Sequence, residues 1–124
     1  MRFTLSLLAA TALVAAAPAI AHPKLLSSTP AANATVKPTA KVELRFSERL
    51  VAKLSSAQVV MTGMPGMADH PPMPMQGRAA IAPDGNTLVV TFARPLAAGT
   101  YKVTWQVVSA DTHKITGSLD FKVR

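Results

Sequence analysis

Apolar residues recur at every second position in four separate runs of this chain, and no run keeps a helical period over a full helix length. In "KVELRF", Val42, Leu44 and Phe46 share one face, while Lys41, Glu43 and Arg45 share the other. "TLVVTF" groups Leu88, Val90 and Phe92. "TYKVTWQVV" groups Tyr101, Val103, Trp105 and Val107, and "SLDFKV" groups Leu119, Phe121 and Val123. "SAQVVM", "RAAIA" and an edge segment at Leu25–Ser28 read as weaker strands. "PDGN", "RPLAAG" and "SADTHKITG" supply the turns between them. Short strands at this spacing predict an all-β domain, a small antiparallel Greek-key barrel or sandwich.

The first 21 residues do not belong to that pattern. "MRFTLSLLAATALVAAAPAIA" has a basic start at Arg2, an apolar core and small residues at Ala19 and Ala21. It reads as a secretory signal, residues 1–21, cleaved after Ala21. The domain is then 22–124, and His22 becomes its first residue. The chain has no cysteine, so an oxidising compartment offers it no disulfide. Its net charge is +7. The basic residues are scattered singly and aromatics are few, which argues against a nucleic-acid partner. The charge suits an anionic surface or an acidic partner.

Apart from Met1, every methionine lies in "MTGMPGMADHPPMPM", from Met61 to Met75. Gly63, Pro65 and Gly66 exclude a helix, and the segment reads as a loop rather than helix or strand. Methionine can be a core filler, but the core positions of the strands use Val, Leu, Ile and Phe. Thioether sulfur is a soft neutral ligand preferred by Cu(I), and His70 adds one imidazole. The single carboxylate nearby, Asp69, makes the segment a poor zinc site. The loop therefore reads as a cysteine-free Cu(I) clamp.

An N-terminal histidine offers its α-amine and ring nitrogen to one metal. Copper must displace the amine proton, so affinity rises with pH. Pro23 has no amide proton to give up, so the remaining ligands come from elsewhere in the fold. Asp111 and His113, two apart, point the same way in extended chain. With His22 they form a nitrogen-rich set suited to Cu(II), provided that the fold brings them together. A local Ser109–Asp111–His113 triad is dismissed, because catalytic triads assemble across a fold rather than along one turn.

"HPKLLSSTPA", "ELRFSE", "MTGMPGMADHPPM" and "GTYKVTWQVVSADTHKITGSLDFKV" together resemble the periplasmic copper-resistance CopC family over essentially the whole of 22–124. That resemblance implies a cupredoxin-like or immunoglobulin-like β-domain with two copper sites. It implies Cu(II) ligands His22, Asp111 and His113, with Glu48 as a weak ligand or a neighbour of the site. It implies Cu(I) ligands Met61, Met64, Met67, His70 and Met73, and leaves Met75 without a role. The expected function is a periplasmic copper carrier rather than an enzyme. The expected partners are an inner-membrane copper transporter of CopD type and other periplasmic copper proteins. Two other functions are weighed. A histidine-brace copper monooxygenase needs an open copper face, which Asp111 would fill. A periplasmic interaction module whose His and Met residues are incidental would retain no metal.

Overall fold

The computed structural model describes residues 22–124; the expected signal segment and its cleavage point lie outside the described residues. Nine strands form two sheets: β1 (Leu25–Thr29), β2 (Thr35–Val36), β3 (Lys41–Phe46), β4 (Ser56–Gly63), β5 (Met73–Pro74), β6 (Gly77–Ile81), β7 (Thr87–Phe92), β8 (Gly99–Val108) and β9 (Lys114–Val123). One sheet has the order β1-β3-β7-β6, the other β2-β9-β8-β4-β5. All pairings are antiparallel except β2 with β9. The sheets do not close on each other, so the expected barrel-or-sandwich is a sandwich.

The alternation read from sequence is the burial pattern. Val42, Leu44, Phe46, Leu88, Val90, Phe92, Tyr101, Val103, Trp105, Val107, Leu119, Phe121 and Val123 all face the space between the sheets and form one core. Burying a side chain of this size is worth roughly 1.5–3 kcal/mol, so these positions dominate the fold's stability. Tyr101 stacks on Phe121, and its hydroxyl donates to the Ala97 carbonyl at 2.6 Å.

Three expectations need correction. The methionine segment is not all loop: Met61 lies within β4, and Met73–Pro74 is β5, paired across Val60↔Pro74 and Met61↔Met73. Proline is tolerated there because β5 is an edge strand, and Met75 N–H donates to the Val59 carbonyl at 2.8 Å. Nor is the core free of methionine, since Met61 is buried in it and Met75 packs against it. Finally, β9 starts at Lys114, four residues before "SLDFKV". Gly117 hides that extension: it stands opposite Trp105, whose ring occupies the space a Cβ there would need, at 2.5 Å.

β8 runs between the two groups of candidate residues. Its first residues pair with the end of β4, and its last residue leads into Ser109 and the Asp111 turn. Ten residues at about 3.3 Å each separate those two ends by roughly 30 Å.

Candidate functional site

At the Val108 end, the backbone gathers three segments. Pro23 is buried, and Lys24 is clamped to Ser47 by two bonds, Lys24 N–H to Ser47 Oγ at 2.9 Å and Ser47 N–H to the Lys24 carbonyl at 2.8 Å. The same loop reaches the other side through Ala110 N–H donating to the Arg49 carbonyl at 2.9 Å and the Leu50↔Ser109 bridge. His22 is thereby brought to His113, with ring centroids 4.7 Å apart in an edge-on arrangement.

The 109–113 turn is tight. Ser109 N–H donates to the His113 carbonyl at 2.9 Å, Thr112 N–H donates to the Ser109 carbonyl at 2.8 Å, and Thr112 takes φ +70°. The buried Ser109 hydroxyl donates to Asp111 Oδ1, and His113 Nδ1 lies 3.0 Å from Asp111 Oδ2. The Ser109 hydroxyl first, and then His113, hold the Asp111 carboxyl below the usual carboxylate range. An ionised carboxylate only accepts, so Nδ1 of His113 carries the proton and Nε2 keeps its lone pair for a metal. Asp111 thus orients His113 with one oxygen and receives Ser109 on the other. Sequence spacing placed Asp111 among the ligands; the hydroxyl that spans it was not foreseen, although Ser109 stands two residues away in the same turn.

Glu48 lies between Ser47 and Arg49, hence between the His22 and Asp111 segments along the backbone. Its carboxylate does not complete a cluster: among the described residues no three His, Cys, Asp or Glu side chains converge as a metal site. His22, His113 and Asp111 are therefore neighbours rather than a closed carboxylate–imidazole set. A metal there would draw further donors from the His22 backbone nitrogen or from water.

At the other end of β8, the methionines take up distinct positions. Met64 and Met67 bond to each other twice, N–H to carbonyl at 2.9 Å in each direction, around a Pro65-Gly66 turn. Proline at the first turn position and glycine at φ +79° at the second define a type II turn. A directly opposed pair leaves its backbone on one face, with Cβ atoms about 5 Å apart, so the two side chains start out on a common side of the hairpin. Both are exposed, as is Met73. Met73 is directly opposite buried Met61, so these two also leave their strands on a common face.

His70 completes this end. Its Nδ1 is 2.7 Å from the Pro71 carbonyl and must therefore be the donor. Its Nε2 is buried with no hydrogen-bond partner. An imidazole nitrogen shut away from water without a donor is a cost that a bound metal ion removes. The donor chemistry of His70, Met64, Met67 and Met73 fits a soft monovalent ion. Met61 differs from these in being part of the core, and a metal would need it to turn toward Met73.

Comparisons with known proteins place this geometry in context. Residues 25–124 match the CopC domain family. The chain is 52% identical over 115 residues to copper resistance protein C of Pseudomonas syringae pv. tomato, covering 93% of this chain and 90% of that one. The crystal structure of PcoC, a methionine-rich copper resistance protein from Escherichia coli, superposes with a TM-score of 0.77 at 45% identity, covering 84% of this chain and 100% of that one. The crystal structure of CopC from Methylosinus trichosporium OB3b follows with a TM-score of 0.68 at 25% identity, covering 82% and 93%.

Proposed function

The chain belongs to the CopC family, and from that premise we propose that it is a copper-resistance protein that carries copper, as Cu(II) at the His22 end and as Cu(I) at the methionine end. The observation that carries the reading is His70 Nε2, buried and unpartnered, on the segment that follows the Met64–Met67 hairpin and returns to Thr62 through the His70 N–H. In this reading Met64, Met67, Met73 and His70 hold Cu(I), and Met61 joins them by rotating out of the core. Thioethers need no deprotonation, so any pH dependence of uptake there comes from the His70 ring.

The Cu(II) half follows from His22 and His113. His113 binds through Nε2, oriented by Asp111. His22 binds through its ring and, once the segment before it is removed, through its α-amine. Export to the periplasm and cleavage after Ala21 are therefore part of the proposal, because Ala21 otherwise blocks that amine. Glu48 stands close enough along the backbone to serve an incoming ion as a weak or water-bridged acceptor. The two ends differ in softness, which lets one rigid sandwich hold either oxidation state without catalysing a reaction. Delivery to an inner-membrane transporter of CopD type or to another periplasmic copper protein is the expected use. Among the described residues no helix is long and apolar enough to cross a membrane.

The test is a pair of titrations on protein beginning at His22. Replacing His70 with Ala should weaken Cu(I) binding at least tenfold and leave Cu(II) binding unchanged. One extra residue before His22 should do the reverse. If neither change alters either affinity, the assignment is wrong.

A further inference from the structure

Beside the methionine hairpin lies a groove of about 480 Å³, walled on one side by Met64, Pro65, Gly66 and Met67 and on the other by Thr100, Lys122 and Arg124. The sheet register explains the meeting. Thr100 pairs with Gly63 on one side and with Lys122 on the other, so the three residues form one row across β4, β8 and β9. Two strand spacings put the Lys122 backbone only about 10 Å from the root of the hairpin. Lys122 and Arg124 are both exposed. Neither forms an ion pair among the described residues, where the pairs are Lys41–Glu43 and Asp111–His113. The neighbouring acid on β9, Asp120, stands opposite Lys102, so the side chains of Lys102, Asp120, Lys122 and Arg124 sum to a positive charge.

Thioethers attract soft metal, but they are neutral and do nothing for an anion. Two unpaired cations beside them do the opposite. The groove is open to solvent, and its volume leaves room for more than a bare ion. We propose that this groove receives Cu(I) as a complex with a small organic anion, Lys122 and Arg124 holding the anion while Met64 and Met67 take the metal. The step is ligand exchange. Thioether–copper bonds form as the carrier's bonds to copper break, the copper stays Cu(I), no electron moves, and the carrier leaves as its free anion. The inference rests on the Cu(I) reading above and names the form in which that ion arrives.

Transfer kinetics test it. The anionic donor is bis(bicinchoninate)Cu(I), whose visible absorbance falls as copper leaves; the cationic donor is tetrakis(acetonitrile)Cu(I). Charge reversal at Lys122 (K122E), alone and with R124E, should slow transfer from the anionic donor about tenfold at low salt, within the range of electrostatic steering. Added salt should shrink the difference, and Lys122→Arg should retain the wild-type rate. Transfer from the cationic donor should not slow, and the equilibrium Cu(I) affinity and thermal midpoint should stay as in wild type. Equal rates for K122E/R124E and wild type with the anionic donor would overturn the proposal, as would equal slowing with both donors. A Met64→Leu/Met67→Leu variant separates the two readings: if it takes up copper from both donors as wild type does, the Cu(I) assignment itself fails, whatever Lys122 does.

Discussion

Gly66 offers a way to perturb the methionine pair without touching a thioether. It holds φ +79° at the second position of the Pro65-Gly66 turn, and a Cβ placed there would meet nothing within 4 Å. Substitution therefore carries a backbone cost and no steric one. For an alanine in the left-handed region that cost is about 1–2 kcal/mol. The hairpin projects from the end of β4 with both methionines exposed, so without metal G66A can relax by opening, and Cu(I) must then close it again. Closing it costs the same 1–2 kcal/mol, which lowers Cu(I) affinity about 5- to 30-fold. Asparagine tolerates this backbone region, so G66N should bind within about twofold of wild type. The assay is competition for Cu(I) against a chromophoric chelator, with Cu(II) affinity and the urea midpoint measured on the same proteins. If the sandwich instead holds the turn shut, the penalty appears in the urea midpoint rather than in affinity. G66A matching wild type in both would refute the claim that this turn organises the thioethers.

Ser109→Ala removes the buried hydroxyl that braces Asp111 and should weaken Cu(II) binding about 10- to 100-fold with Cu(I) binding intact, read by competition with a Cu(II) chelator. Tyr101→Phe loses the bond to Ala97 and should cost about 1 kcal/mol in urea unfolding at neutral pH. Burial raises the Tyr101 pKa above 10.0, so the folded state favours the neutral phenol. That contribution is intact below pH 10 and lost as pH climbs through the folded value; the variant should show a flatter alkaline limb. Gly117→Ala drives a methyl into the Trp105 ring and should destabilise by about 1–3 kcal/mol, with altered Trp105 emission.

The core was legible because strand periodicity is a local signal: every inward residue of "KVELRF", "TLVVTF" and "TYKVTWQVV" followed from counting by two. The methionine hairpin was not, because Pro65 and Gly66 read only as helix breakers until Met64 and Met67 are seen bonding across them. The three-residue step from Met64 to Met67 then reflects a two-residue turn. Met61 was misplaced for a related reason. It closes "SAQVVM" two residues after Val59 and on the same face, but it also opens the methionine segment, and only the long-range pairing of β4 with β8 decides which of the two it belongs to. The partnership of His22 with the Asp111 turn likewise needs the Lys24–Ser47 clamp and the Ala110–Arg49 bond, neither of which leaves a motif. Lys122 looked like one of many scattered cations, and only the Gly63–Thr100–Lys122 row sets it beside the thioethers.

The central claim is that two centres of opposite softness occupy opposite ends of β8. The most direct measurement is a pair of ¹H–¹⁵N NMR titrations of protein beginning at His22, one with Cu(II) and one with anaerobic Cu(I). Paramagnetic Cu(II) should broaden the amides of Lys24, Ser47–Arg49 and Ser109–Lys114 and leave Met61–Met75 sharp. Diamagnetic Cu(I) should shift Met61–Met75 and leave Ser109–Lys114 in place. Cu(II) broadening at the methionine hairpin, or Cu(I) shifts centred on the Asp111 turn, would contradict the account.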